Sequence, residues 1–116
     1  MEEPQRLKNI SRIFDIIERK IDMKESVKQE NAKMLFKAVL TLKNEEECEG
    51  FFKDLCTDTE IYSMAQRFVV AKMVASGKKY DEIEEQTGAS PATISRVKRY
   101  MENYKQYDIF MRLDEE

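Results

Sequence analysis

An all-helical fold follows from three features of the chain. Charged residues make up 37% and apolar residues 41% of it, with only three glycines and two prolines. This composition suits helices rich in Glu, Lys, Leu, Ile and Met, not strands joined by glycine-rich turns. Apolar residues recur at spacings of three and four in nearly every regular stretch. Helix-start and helix-stop residues punctuate the intervals between those stretches. At 116 residues the chain has room for one compact domain and an extension.

The first helix is read in "LKNISRIFDIIERKI". Leu7, Ile10, Phe14, Ile17 and Ile21 alternate between spacings of three and four, a stripe with coiled-coil character. It pairs with a second copy or covers a neighbouring core, and the spacing admits both. Ile13, Ile16 and Met23 widen the apolar face. The polar run "DMKESVKQEN" breaks the pattern and reads as a linker or a helix end. Residues 1–28 are therefore assigned to an amphipathic helical extension and 29–116 to the main domain.

A helix resumes in "AKMLFKAVLTLK", with Leu35, Val39 and Leu42 on one face and Met34 and Ala38 beside it. Asn44 then caps a new helix whose first turn is acidic. Glu47 sits where it can reach back to the backbone N–H of Asn44. Cys48, Phe51, Phe52 and Leu55 form the face this helix is expected to bury. Thr57 and Glu60 repeat the capping arrangement. The helix that follows carries Ile61, Met64, Ala65, Phe68 and Ala71 or Lys72 at helical spacing, and Gly77 stands where a left-handed terminal residue is wanted.

The next residues, "YDEIEEQTGASPATISRVKR" (80–99), hold the functional signal. A short helix covers 80–87, with Ile83 and Thr87 facing inward. Gly88 permits a positive φ. Ser90 caps the next helix, and Pro91 fills its first position, where a missing N–H costs nothing. Ile94 and Val97 pack back on the first helix. Helix, short glycine turn, helix is the helix-turn-helix unit. Glu84 departs from the usual pattern, because it stands at the helix crossing, where a small residue is common. Either the crossing widens or Glu84 turns outward.

In such a unit the start of the second helix enters the DNA major groove. The residues placed there are Ser90, Pro91, Ala92, Thr93, Ser95 and Arg96. Small side chains let the backbone approach, hydroxyls donate or accept, and Arg96 can read guanine or hold phosphate. Lys78, Lys79, Lys98 and Arg99 supply phosphate contacts from the rim. The formal net charge of the chain is −3, but the local field decides phosphate binding, and this face is basic. Past it, "YKQYDIFMRLDEE" admits a closing helix or a segment docked on a partner chain.

Other function classes find little support. The absence of histidine removes the commonest general base and the commonest transition-metal ligand. Two cysteines, Cys48 and Cys56, do not complete a tetrahedral metal site, and they are read as reduced thiols. No catalytic residue, metal site or phosphate loop is assigned. The N-terminus lacks the layout of a secretion signal and no apolar run reaches membrane-spanning length. The expected location is the cytoplasm.

The pieces "FFKDLCT", "AQRFVVAKM" and "TGASPATISRV" resemble the Trp repressor superfamily, in particular its YerC/YecD-like subfamily. The resemblance spans 29–100. It implies a Trp-repressor-like helical bundle with a helix-turn-helix, assembled as an intertwined homodimer. It also implies a bacterial DNA-binding transcriptional regulator, most simply a repressor. Two reading heads related by a two-fold axis would face a palindromic operator, with half-sites about one helical turn apart.

In the Trp repressors two arginines and a threonine hold the corepressor. By resemblance the matching positions are Arg67, Arg96 and Thr57. Val97 stands where those repressors carry a glycine beside the ligand, and the alignment needs a one-residue gap between Gly77 and Gly88. No cofactor is therefore expected, a tryptophan-like corepressor being the weaker reading. Two other functions stay open: a helical adaptor that binds protein, and an amino-acid-responsive repressor.

Overall fold

The computed structural model describes residues 5–115; at 5–7, 20–23 and 115 it describes the backbone alone. The side chains of Leu7, Ile21 and Met23 therefore lie outside the described residues. The chain divides into two compact units, Met1–Cys48 and Glu49–Glu116. No strand occurs among the described residues.

The first unit is dominated by one helix, α1, Gln5–Val39. At 35 residues it is about 52 Å long. The polar run that reads as a linker or helix end is neither, for α1 passes straight through it. Its residues, mostly Lys, Glu, Gln and Met, are good helix formers, and loss of an apolar stripe signals only loss of a buried face. Ion pairs Glu25–Lys28 (3.3 Å) and Glu30–Lys33 (3.7 Å) sit on the surface of this middle section. The helix closes at Val39, earlier than the apolar pattern suggests. Thr41 and Leu42 donate their N–H groups back to Ala38 and Val39 in a tight final turn.

The helix α2, Glu45–Leu55, opens on Asn44, whose Oδ1 accepts the Glu47 N–H at 2.8 Å. Glu47 does reach back, but one residue further than expected: its carboxylate accepts from the Lys43 N–H at 2.7 Å. Three glutamates in the first turn complement the helix dipole. Glu49 and Lys53 pair at 2.7 Å one turn apart. The hydrogen bond and charge of Lys53 hold the Glu49 carboxyl below its ordinary range. The expected burial of α2 does not occur within the chain. Cys48, Phe51 and Phe52 are half-buried and Leu55 is 60% exposed.

The remaining helices build the core of the second unit. They are α3 (Asp58–Ala75), α4 (Tyr80–Thr87) and α5 (Pro91–Tyr104). A full capping box starts α3: Thr57 Oγ1 accepts the Glu60 N–H, and the Glu60 carboxylate accepts the Thr57 N–H at 2.9 Å. Those bonds from Thr57 lower the Glu60 pKa. A Schellman turn ends α3. Gly77 takes φ +80°, its N–H donates to Val74, and the Lys78 N–H donates to Met73.

The core consists of Val70 and Ala71 from α3, Ile83 from α4, Ala89 from the turn, and Ile94, Val97 and Met101 from α5. The face expected for α3 is only partly the buried one. Val70 is fully buried, whereas Met64 and Phe68 remain 41% and 37% exposed. Apolar residues surround this helix on more than one side, so spacing alone does not choose the face that α4 and α5 cover. The open C-terminal segment closes on its own unit. A 3₁₀ helix, Tyr107–Glu115, lies against α3, with the Phe110 ring 6.0 Å from that of Phe68 and Asp114 paired to Lys72.

Candidate nucleic-acid interface

The helices α4 and α5, with the turn between them, occupy the span the sequence assigns to the reading head. Asp81 and Glu82 stand in the first turn of α4, where acidic groups meet the positive end of the helix dipole. Thr87 ends the helix by two bonds. Its hydroxyl donates to the Ile83 carbonyl at 2.7 Å and accepts the Ala89 N–H at 3.1 Å. Gly88 takes φ +71° and donates its N–H to Glu84 at 2.9 Å. The left-handed residue reverses the chain, and Ala89 drops into the core, 5% exposed.

The second helix starts as the sequence requires. Ser90 is extended, its Oγ accepts the Thr93 N–H at 3.2 Å, and Pro91 follows at the first helical position. The Ser90 hydroxyl also donates to Thr93 Oγ1 at 3.1 Å. Ile94 and Val97 turn inward against Ile83, which fixes the face that α5 leaves to solvent. Glu84 is half-buried at the crossing, and no described side-chain nitrogen or oxygen is buried without a partner.

That outer face holds the residues singled out for DNA. Ser90, Pro91, Ala92, Ser95, Arg96, Lys98 and Arg99 are exposed on it, and Thr93 is half-buried beside the cap. Lys78 and Lys79 are exposed just ahead of α4. Lys98 lies 5.5 Å from the centre of the Tyr80 ring, so its charge is drawn toward the start of α4. Residues 90–99 contain three cations and no carboxylate. Small side chains at the helix start and cations farther along therefore share one solvent-facing surface.

Two contributors had no clear signal in the sequence. Gln66 donates from its side-chain amide to the Thr87 carbonyl at 3.1 Å, tying α3 to the end of α4. A lone glutamine on a mixed helix face carries no spacing cue. Ala89 follows a glycine in a turn, where helical periodicity says nothing about burial.

Of the three residues matched to a corepressor site, Arg67 lines a shallow open groove in this chain, of about 310 Å³, together with Phe68, Val97, Tyr100, Met101 and Phe110. Among the residues lining it, Thr57 and Arg96 do not appear. The Thr57 hydroxyl caps α3 and donates to Glu60 at 3.0 Å. Among the described residues no group of carboxylates and cysteines is placed to hold a metal ion, and no helix is long and apolar enough to cross a membrane.

A small-residue helix start with cations farther along it, held by a glycine turn, defines a helix-turn-helix protein of the DNA-binding class. The chain matches the Trp repressor protein family over residues 30–114 and belongs to that family. It is 55% identical over 80 residues to the Bacillus subtilis protein YerC, spanning 69% of this chain and 76% of that one. Two solved structures share the fold at 47% identity. One is described as "a putative Trp repressor" from Staphylococcus aureus, with a TM-score of 0.69 over 79% of this chain and 94% of that one. The other is a TrpR-like protein from Eubacterium eligens, with a TM-score of 0.68 over 78% and 95%. The all-α fold and the place of the chain among DNA-binding transcription regulators rest on these matches and on the helix-turn-helix itself.

Proposed function

We propose that the chain is a homodimeric, sequence-specific repressor that reads a palindromic operator and occludes a promoter. The observation that carries this reading is the exposed Ser90–Arg99 face, held outward by buried Ile94 and Val97. Arg96 is assigned to a base or phosphate contact near the helix start, and Lys78, Lys79, Lys98 and Arg99 to the phosphate rim. Two-fold pairing is favoured by the apolar surface the single chain leaves open. Met34, Phe36, Leu40 and Leu55 are each at least 60% exposed, and isolated domains rarely leave so many large apolar groups in water.

The reading includes no small-molecule effector. Thr57 is committed to its cap, and Val97 and Phe110 stand in the groove beside Arg67. The test is selection of bound duplexes from a random DNA pool at physiological salt, with and without free amino acids. Enrichment of one palindrome in both arms supports the reading. Enrichment only with an amino acid present would replace it by an effector-gated repressor. Failure to enrich any sequence would replace it by a protein-binding adaptor.

A further inference from the structure

The reading helix α5 is held unevenly along its length. Near its start the fully buried Ile94 joins Ile83 in the core. Farther along, only Val97 and Met101 of its side chains are buried, whereas Tyr100 and Tyr104 are 54% and 78% exposed. A methionine is flexible and fixes a position poorly. A helix anchored firmly at one end pivots there unless a second contact sets its tilt.

That second contact comes from outside the head. Phe110, in the 3₁₀ helix Tyr107–Glu115, packs against the core. It lines one groove with Phe68 and Ala71 of α3 and Val97 and Met101 of α5. The Phe110 ring is rigid, half-buried and 6.0 Å from that of Phe68. The Lys72–Asp114 pair ties the far end of the same segment to α3. Neither this segment nor the turn leading into it is a conformation the chain adopts readily. Lys105, at φ +53°, is the one non-glycine residue with positive φ among the described residues, and a Cβ crowds the backbone there. A 3₁₀ helix of nine residues exceeds the usual three or four, because its hydrogen bonds are poorly aligned. Docking on α3, not local preference, holds the segment in place.

We propose that the C-terminal segment is a strap that sets the tilt of α5, with Phe110 as its positioning residue. Base contacts from the start of α5 and phosphate contacts from Lys98 and Arg99 farther along are made together at one tilt only. Phe110 touches no DNA and acts through the inward-facing Val97 and Met101. The proposal rests on the DNA-reading assignment of α5. A docked strap raises the preference for the operator over other sequences. It leaves the non-specific attraction to phosphates, which depends on charge, as it is.

The test measures the full chain against two DNA probes: the duplex most enriched by the native chain from a random pool, and a duplex of scrambled sequence. Phe110→Ala should lower the preference for the first over the second by about tenfold, the scale of one lost base contact. Affinity for the scrambled duplex should stay within about twofold. Phe68→Ala, which removes the facing ring from α3, should lower the preference likewise, and the double variant should lose no more than either alone. Phe110→Leu returns apolar bulk and should return most of the preference. Circular dichroism checks that each variant keeps its helicity. A readout without DNA accompanies these: amide exchange over 98–104 should accelerate at least about fivefold in Phe110→Ala while that over 83–88 holds. Equal losses for both duplexes, an undiminished preference, or unchanged exchange over 98–104 overturns the strap and leaves DNA reading standing. If the native chain enriches no duplex, DNA reading falls and the role of the strap falls with it.

Discussion

The reading head and the long N-terminal helix both carry apolar residues at helical spacing, yet they treat them in opposite ways. In the head, Ile83 and Ile94 are fully buried within 12 residues of sequence. In α1, Phe14 and Ile17 stand in water. The head closes because a short turn brings its two helices together, with α3 packed across both. One uninterrupted helix has no turn to fold it onto itself, so its stripe stays exposed. The same periodicity thus specifies a local core in one place and an open apolar face in the other, and the turn makes the difference.

The comparison breaks hardest at the core of the head. Ile94→Ala should cost about 2–5 kcal/mol of stability, read by urea denaturation, and DNA binding should be lost with it. Phe14→Ala should leave the urea midpoint of the head within a fraction of that loss. Equal effects would mean that α1 and the head form one cooperative core.

On the outer face of the head, Arg96→Ala should weaken specific DNA binding by about 1–3 kcal/mol while leaving the melting temperature unchanged. Lys98→Ala should weaken all sequences alike and reduce the salt slope by about one unit. A loss under a few tenths of a kcal/mol at Arg96 removes it from base reading.

The turn itself is sharpened by Gly88→Ala. No atom lies within 4 Å of the added Cβ, so the cost is that of the left-handed backbone alone, about 1–2 kcal/mol. Gly88→Asn should recover part of it. Thermal melts of the two variants separate backbone strain from steric contact.

Thr57→Ala should cost about 1 kcal/mol through loss of the α3 cap, by the same amount with or without free amino acids in the melt. An effect that appears only with an amino acid present would return Thr57 to a ligand site. The smallest effect is the pH dependence of that cap. The folded-state pKa of Glu60 is depressed, so its contribution is complete above the unfolded value of 4.5 and fades as pH falls through the lower folded value. Amide exchange at the start of α3 should accelerate over that acid range in the native chain and lose the dependence in Glu60→Gln.

Much of the architecture is legible in the residues because it is decided locally. The capping pairs, Gly77 and Gly88 each fix a helix end within a few residues. The 80–87 helix and the Ser90–Pro91 start need no distant contact. The Asn44 cap was readable too, although the reach of Glu47 to Lys43 depended on a side-chain conformation that the sequence leaves free. Failures cluster where a choice is made between faces. The polar middle of α1 reads as a break because periodicity reports burial, not helicity. The buried face of α3 is not legible from spacing because its apolar residues point several ways.

By itself the sequence determined the all-helical class, the boundaries of the reading head and the basic character of its outer surface. These follow from backbone conformational preference and from charge, properties each short segment carries alone. Only the tertiary structure decided that Val70 and Ala89 are core, that Gln66 holds the end of α4, and that Phe110 returns to α3 beside Arg67. Those outcomes depend on which surfaces meet across tens of residues, and no local spacing encodes that meeting.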